Sequence, residues 1–142
     1  MRALLDVNVL IALLDQDHSL HQRAREWFGD PGRGAWASCP LTQNGCVRIM
    51  SNPGYPRGIP VAAAIRLLRE AIADSRHEFW PDDLSLLDER VADGTRIHGP
   101  RQLTDLYLLA LAVRRGGKFI TFDGSIAIHA IKGAETRHIV AL

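Results

Sequence analysis

A chain of 142 residues is long enough to bury a hydrophobic core without disulfide or metal staples, and we expect one domain spanning residues 1–142. Apolar residues make up 46% of the sequence and charged residues 23%, which is the composition of an ordinary globular protein. The 17 basic and 16 acidic side chains leave a net charge of +1, which excludes binding of nucleic acid through bulk charge and leaves only local basic patches for that role.

Short apolar runs alternate with segments of helical periodicity along the chain. We predict, in chain order, a strand at 3–6, helices at 8–14 and 20–28, a strand at 34–39, helices at 41–50 and 61–74, a strand at 77–80, helices at 85–92 and 102–115, and strands at 118–122 and 138–142. Turn-forming residues interrupt these elements at 15–18, 30–32 and 51–58. The segment 126–131 fits neither pattern.

This alternation predicts an α/β domain built around a mainly parallel sheet. Parallel strands end at the same edge of a sheet, and the ligand sites of such sheets lie just outside those ends. Asp6 and Asp123 each follow a predicted strand. We therefore expect both carboxylates at one edge of the molecule.

The cysteines and the apolar runs indicate the compartment. Cys39 and Cys46 form neither a CxxC pair nor a cluster with zinc spacing, so we expect two reduced, buried thiols. The longest apolar run, 106–113, is too short to span a bilayer, and no small-residue cleavage site follows the amino-terminal apolar stretch. We expect a cytoplasmic protein that does not contact membranes.

Three aspartates carry the candidate chemistry, and each has an ordinary structural explanation when it is taken alone. Asp6 can cap the helix that follows it. Asp105 stands in the first turn of an otherwise apolar helix, where a carboxylate gains from the helix dipole. Asp123 precedes a glycine in a sequence typical of a turn.

Taken together, the three acids favour a metal site. Carboxylates gathered at one end of a sheet repel one another unless a cation neutralises them. Oxygen ligands select Mg²⁺ or Mn²⁺ over zinc, and such ions activate water against phosphodiesters. The residues alone therefore indicate Mg²⁺-dependent phosphoryl chemistry.

Three segments resemble the signature blocks of PIN-domain ribonucleases. They are LDVNVLIAL at 5–13, TDLYLLALA at 104–112 and FITFD at 119–123. Within that superfamily the chain is most similar to the VapC toxins of bacterial toxin–antitoxin pairs, over essentially its whole length. The resemblance implies a three-layer α/β/α fold with a central, mainly parallel sheet. It also implies a Mg²⁺-dependent endoribonuclease toxin, in which Mn²⁺ can serve instead.

The same resemblance assigns roles to individual residues. Asp6 and Asp105 would be the principal metal ligands, and Asp123 a further member of the catalytic and metal-binding acidic cluster. Asn8 and Thr121 match the polar residues that flank these acids in the family, although a helix-start role explains Asn8 equally well. The partners that it implies are an RNA substrate, a cognate VapB-type antitoxin that inserts a segment near the acidic cleft, and a second copy in a homodimer.

One segment departs from the family pattern. PIN nucleases usually carry a glutamate early in the helix that follows the second strand, whereas residues 41–49 contain no acid. Gly45 takes the acidic position, with Asn44 beside it. We expect the three remaining acids to work, with weaker metal binding or with water and substrate phosphate completing the metal shell.

Binding of RNA has to come from local charge, because phosphate contacts dominate affinity for nucleic acid. Arg48 and Arg57 are the best candidates, since they fall near the loop that we expect to rim the acidic cleft. Tyr55 in that loop can stack on a base or simply pack on the surface. A solvated surface position is the ordinary alternative for each arginine.

Two other functions are compatible with part of the sequence. A non-catalytic PIN-like module that binds RNA or a regulatory partner would explain the missing glutamate. A haloacid-dehalogenase-type phosphatase also places an aspartate after its first strand, but it requires a second aspartate two residues on, where this chain has Asn8. Preference for a small phosphomonoester over RNA would favour the phosphatase, and RNA binding without turnover would favour the module.

Overall fold

A central sheet of five strands organises the computed structural model, which describes residues 1–29 and 34–142. The strands are β1 (Ala3–Leu5), β2 (Trp36–Ser38), β3 (His77–Phe79), β4 (Lys118–Thr121) and β5 (Ile139–Ala141). They lie in the order β3-β2-β1-β4-β5, and every neighbouring pair is parallel. The predicted parallel α/β fold is confirmed. The turn predicted at 30–32 lies outside the described residues.

Helices connect the strands and cover the sheet. They are α1 (Val7–Leu14), α2 (His21–Phe28), α3 (Pro40–Met50), α4 (Val61–Ile72) and α5 (Leu103–Arg114). Pro40 occupies the first position of α3, where its missing N–H leaves no helical hydrogen bond unmade. Short 3-10 turns are formed by Gly94–Arg96, Pro100–Gln102, Ile128–Ala130 and Thr136–His138.

The central strand β1 contributes to a core on each face of the sheet. Leu4 belongs to the core that contains Leu109 of α5. Leu5 belongs to the opposite core, which contains Val9 of α1 and Leu68 of α4. Successive side chains of a strand point to opposite faces, so these neighbouring leucines are buried under different helices. The result is the expected three-layer α/β/α arrangement.

The helix predicted at 85–92 is wrong, because this segment forms a series of turns. The Leu87 N–H donates to the Ser85 hydroxyl at 3.1 Å, and the Arg90 N–H donates to the Asp88 carboxylate at 2.9 Å. Such local bonds from side chain to backbone compete with the helical pattern. Leu84, Leu86 and Leu87 line a surface groove described below.

The two thiols have the environment expected from the sequence. Cys39 and Cys46 are free and buried, and burial raises their pKa values to about 11 and about 12. A thiol with so high a pKa is not a nucleophile at neutral pH. Within the described residues, no helix combines the length and the apolar character that crossing a membrane requires.

The ends of β1 and β4 bring the residues of interest together. Leu5 pairs with Ile120 in register, and the Asp6 N–H donates to the Ile120 carbonyl at 2.9 Å. Asp6 and Thr121 therefore lie side by side where the two central strands end. Asp123 follows two residues after Thr121.

Candidate active site

An open cleft of about 640 Å³ lies at the carboxyl ends of β1 and β4, between the first turn of α5 and one side of α3. It brings together the three predicted acids, both predicted flanking residues and one of the two predicted RNA-binding arginines. Its walls are formed by Asp6, Val7, Asn8, Leu41, Gly45, Arg48, Ile49, Thr104, Asp105, Thr121, Phe122 and Asp123.

Asp6 is both a helix cap and a cleft residue, so its two predicted roles are not alternatives. Its Oδ1 accepts a hydrogen bond from the Val7 N–H at 2.7 Å, at the start of α1. Its Oδ2 accepts from the Thr121 hydroxyl at 3.1 Å. Burial raises the pKa of this carboxyl, the two hydrogen bonds act to lower it, and the charge on Asp123 raises it further. The carboxylate is thus fixed in orientation but still gains from an added positive charge.

Thr121 links two of the acids through one buried hydroxyl. Besides donating to Asp6, the hydroxyl oxygen accepts from the Asp123 N–H at 3.1 Å. The hydroxyl therefore holds the Asp6 carboxylate and the start of the segment after β4 in a fixed relation. An alanine in this place would leave both partners without that bond.

Asp105 is the most perturbed of the three acids. It lies half-buried in the first turn of α5, and burial followed by the charges on Asp6 and Asp123 raises its pKa to about 6. Within residues 1–29 and 34–142, no group donates a hydrogen bond to its carboxylate. A nearby positive charge would therefore stabilise the ionised Asp105 carboxylate.

Asp123 sits at the exposed rim and has a different environment. Its Oδ1 accepts from the Ser125 N–H at 2.8 Å and from the Ser125 hydroxyl at 2.6 Å. These bonds lower the pKa of the carboxyl. Asp123 therefore stays ionised and adds a permanent negative charge to the cleft.

The donor chemistry of the cleft fits a hydrated hard cation. Among the described residues, no group of three or more His, Cys, Asp and Glu side chains is arranged to hold a metal ion by itself. Mg²⁺ commonly keeps several of its waters and takes only one or two protein carboxylates. Asp6 and Asp105 would supply those oxygens, and Asp123 would add a third negative charge at the rim.

The position of the missing glutamate is closed by packing. Gly45 is buried in α3, and a Cβ built on it would lie 2.8 Å from Val7 Cγ2. No side chain fits there unless Val7 moves. Asn44 is exposed and does not line the cleft. Within the described chain, α3 therefore presents no carboxylate to the site.

The two arginine candidates have separate locations. Arg48 is exposed, lines the cleft and forms no ion pair with any residue that the structure describes. Arg57 does not line the cleft, because its guanidinium lies 2.7 Å from Asp15 Oδ2 at the end of α1. Tyr55 donates its hydroxyl hydrogen to the same carboxylate. The expectation that the loop at 51–58 brings Arg57 and Tyr55 to the rim is not met.

Sequence reasoning missed the apolar part of the cleft wall. Val7, Leu41 and Ile49 line it beside the acids. The spacing of residues 41, 45, 48 and 49, which places them on one face of a helix, was the available signal. Apolar residues at helical spacing usually face a core, so this pattern by itself does not indicate a cleft wall.

The fold and the cleft define a class of protein: a parallel α/β domain whose carboxylates gather at the strand ends, as metal-dependent phosphodiester chemistry requires. The PIN domain family matches residues 3–132. Ribonuclease VapC44 of Mycobacterium tuberculosis is 55% identical over 142 residues, which cover 100% of both chains. Ribonuclease VapC38 of the same organism is 46% identical over 125 residues, covering 87% of this chain and 86% of that protein. The chain therefore belongs to the PIN-domain family and, within it, to the VapC-type toxin ribonucleases.

Solved structures share the fold at low identity. Mycobacterium tuberculosis VapC20, described as a sarcin-ricin loop cleaving toxin, superimposes with a TM-score of 0.59 and 14% identity over 87% of this chain and 91% of that chain. VapBC2 from Rickettsia felis, bound to a promoter DNA fragment, superimposes with a TM-score of 0.55 and 13% identity over 87% of this chain and 89% of that chain. Ribonucleases of the PIN family generally depend on a divalent metal ion. The family match excludes the phosphatase interpretation.

Proposed function

We propose that this chain is the endoribonuclease toxin of a VapBC-type pair and hydrolyses RNA phosphodiester bonds with Asp6, Asp105 and Asp123 around Mg²⁺, for which Mn²⁺ can substitute. The observation that carries the proposal is the state of Asp105. Its pKa is raised to about 6 by burial and by two neighbouring carboxylates, and no described group donates a hydrogen bond to it. A bound cation relieves that repulsion.

The residues of the cleft divide the work of the reaction. When bound, the metal ion supplies an activated water and offsets the charge that develops on the phosphate. Thr121 and the Val7 N–H hold Asp6 in one orientation. Ser125 keeps Asp123 ionised at the rim. Arg48 on the opposite wall is free to bind a phosphate oxygen of the RNA.

Cleavage of RNA tests this proposal. Total cellular RNA is incubated with the protein and Mg²⁺, with EDTA, and with the Asp6→Ala and Asp17→Ala variants. Asp17 is an exposed aspartate that does not line the cleft, so its variant should cleave as the unmodified protein does. Loss of cleavage with EDTA and in Asp6→Ala is expected. Equal cleavage in every sample would contradict the proposal, since it would mean a contaminating nuclease.

A non-catalytic function remains the second candidate because α3 presents no carboxylate to the cleft within the described residues. That function predicts saturable RNA binding without turnover. It also predicts that Asp105→Asn leaves growth inhibition on expression unchanged. Turnover that depends on Asp105 rejects it.

We further propose that the antitoxin covers an apolar groove of about 570 Å³ that meets the acidic cleft at Leu41 and Thr104. Leu103 and Leu87 line this groove, and Leu87 is 94% exposed, which is unusual for a leucine without a partner. The shared edge supports a segment that blocks the cleft while it fills the groove. Leu87→Asp should weaken antitoxin binding, with Leu67→Asp on α4 as the control; equal binding by both would contradict the site.

The self-association expected of this family has a candidate surface on α4. We propose that residues 1–142 fold as one domain in the cytoplasm and pair through Val61 and Ile65, which are exposed apolar residues one helical turn apart. Light scattering should give a dimer mass for the unmodified protein and a monomer mass for the Val61→Asp/Ile65→Asp double variant. A dimer in both would place the interface elsewhere.

A further inference from the structure

The wall of the cleft that faces the acids is a continuous stripe on α3. It consists of Leu41, Gly45, Arg48 and Ile49, all of which line the cleft. Their spacing of four, seven and eight positions from the first residue puts them on one face of the helix. From Leu41 to Ile49 the stripe is about 12 Å long. We call these four residues the α3 stripe.

The middle of the α3 stripe packs against Val7 of α1. A Cβ at Gly45 would meet Val7 Cγ2 at 2.8 Å, so the contact between the two helices requires glycine here. Val7 therefore fills the space beside the Gly45 backbone, and the stripe offers a ligand the side chains of Leu41, Arg48 and Ile49.

Both apolar ends of the stripe are partly exposed to solvent. Leu41 is 37% exposed and Ile49 is 38% exposed. Arg48 lies between them along α3 and forms no ion pair within the described chain. The stripe thus presents an arginine without an ion-pair partner between two apolar side chains, on the wall opposite the three carboxylates.

Single-stranded nucleic acid has the complementary pattern, because it alternates phosphates with apolar base faces and can present both at once. A base-paired duplex hides its base faces and cannot do so. An acidic peptide would meet the carboxylates of the opposite wall, whereas a phosphate there is neutralised by the cation that the acids require.

We propose that the α3 stripe positions the RNA strand, with Arg48 binding a phosphate next to the scissile one and with Leu41 and Ile49 packing against the nucleosides on either side. This inference rests on the proposed ribonuclease function and deepens it. Leu41 and Ile49 are then the residues that select the nucleotides flanking the cleavage point. Arg48 contributes affinity that is the same for every sequence.

The test measures kcat and KM separately on an unstructured RNA oligonucleotide and maps cleaved ends by sequencing, for Leu41→Ala, Ile49→Ala, Arg48→Ala and a control. The control is Leu67→Ala, since Leu67 on α4 is also 37% exposed but does not line the cleft. We expect each apolar variant to raise KM about fivefold and to change the nucleotides found at the cleaved ends. Arg48→Ala should raise KM about tenfold, with a weaker salt dependence and unchanged ends.

Binding of the same oligonucleotide to Asp6→Ala protein, with and without each stripe substitution, separates the two proposals. If cleavage is normal but the stripe variants match Leu67→Ala in KM and in cleaved ends, the α3 stripe is overturned and the ribonuclease stands. If the unmodified protein does not cleave while the stripe variants lose binding, the ribonuclease is overturned and the stripe stands. Melting curves that match Leu67→Ala exclude unfolding as the cause of any loss.

Discussion

Asp15 and Asp105 are both aspartates at a helix end, but their surroundings are opposite. Asp15, at the end of α1, accepts hydrogen bonds from Arg57 and Tyr55, and these partners hold its pKa at about 2. Asp105, at the start of α5, has no such donor in the described chain, and burial beside two further acids raises its pKa to about 6. The first carboxylate is satisfied by the fold, whereas the second is left for a ligand to satisfy.

The largest expected effect comes from replacing Asp105 by asparagine, with the same replacement of Asp15 as the control. Asp105→Asn should lower RNA cleavage by about a hundredfold or more, because it removes a carboxylate from the proposed metal site. Asp15→Asn should leave kcat/KM within about twofold and lower the free energy of unfolding by about 2 kcal/mol, because it weakens the hydrogen bonds that the largely covered Asp15 carboxylate accepts from Arg57 and Tyr55. Cleavage assays and urea denaturation measure both. A loss of activity in Asp15→Asn equal to that in Asp105→Asn would break the comparison.

Placing a glutamate at position 45 of α3 tests whether packing against Val7 is what excludes an acidic side chain there. Gly45→Glu should destabilise the fold by about 2 kcal/mol, because the new Cβ collides with Val7. Val7→Ala/Gly45→Glu should recover part of that stability and bind Mn²⁺ more tightly than the unmodified protein. Denaturation and calorimetry measure the two properties. Unchanged stability in Gly45→Glu would mean that the contact between α1 and α3 is looser than described.

Removing the hydroxyl that joins two acids should have a smaller effect. Thr121→Val keeps the shape of the side chain but loses the bonds to Asp6 and to the Asp123 N–H. We expect cleavage to fall about tenfold and the free energy of unfolding by about 1 kcal/mol. Thr121→Ser, which restores the hydroxyl, should recover most of the activity. Failure of serine to do so would assign the loss to packing.

The smallest expected effect is the pH dependence of stability in metal-free protein. The pKa of Asp105 rises from 3.8 to about 6 on folding, so its contribution is full below pH 3.8 and is lost as the pH rises through about 6. Asp15 has the opposite sign, since its contribution is present above pH 3.8 and is lost as the pH falls through about 2. Solvent screening of the half-exposed Asp105 reduces its part to about 1 kcal/mol. Denaturation of unmodified protein and Asp105→Asn at about pH 4 and pH 7 measures it, and identical slopes would contradict the assignment.

The placement of the acids followed from sequence because it depends on topology. Parallel strands end at one edge, so Asp6 and Asp123 were expected at the same edge, whereas the pairing of β1 with β4 that makes them neighbours comes from the structure. The contact between Val7 and Gly45 could not be predicted, since it depends on how closely two helices approach. Arg57 was misplaced for a similar reason, because Asp15, distant in sequence, takes its guanidinium.

Local side-chain chemistry also misled the sequence interpretation. The sequence predicted a helix at 85–92, but Ser85 and Asp88 accept hydrogen bonds from backbone N–H groups and turn the chain instead. The roles of Asp6, Asp105 and Asp123 in metal binding stay predictions, as do those of Arg48 and Arg57 in binding RNA.

Calorimetric titration of Mn²⁺ into the unmodified protein, Asp105→Asn and Asp15→Asn tests the central claim most directly. The three proteins differ only in whether the carboxylate without a partner or the satisfied one is neutralised. We predict that the unmodified protein and Asp15→Asn bind Mn²⁺ with the same affinity and that Asp105→Asn loses at least about tenfold. Equal binding by Asp105→Asn and the unmodified protein would contradict the account.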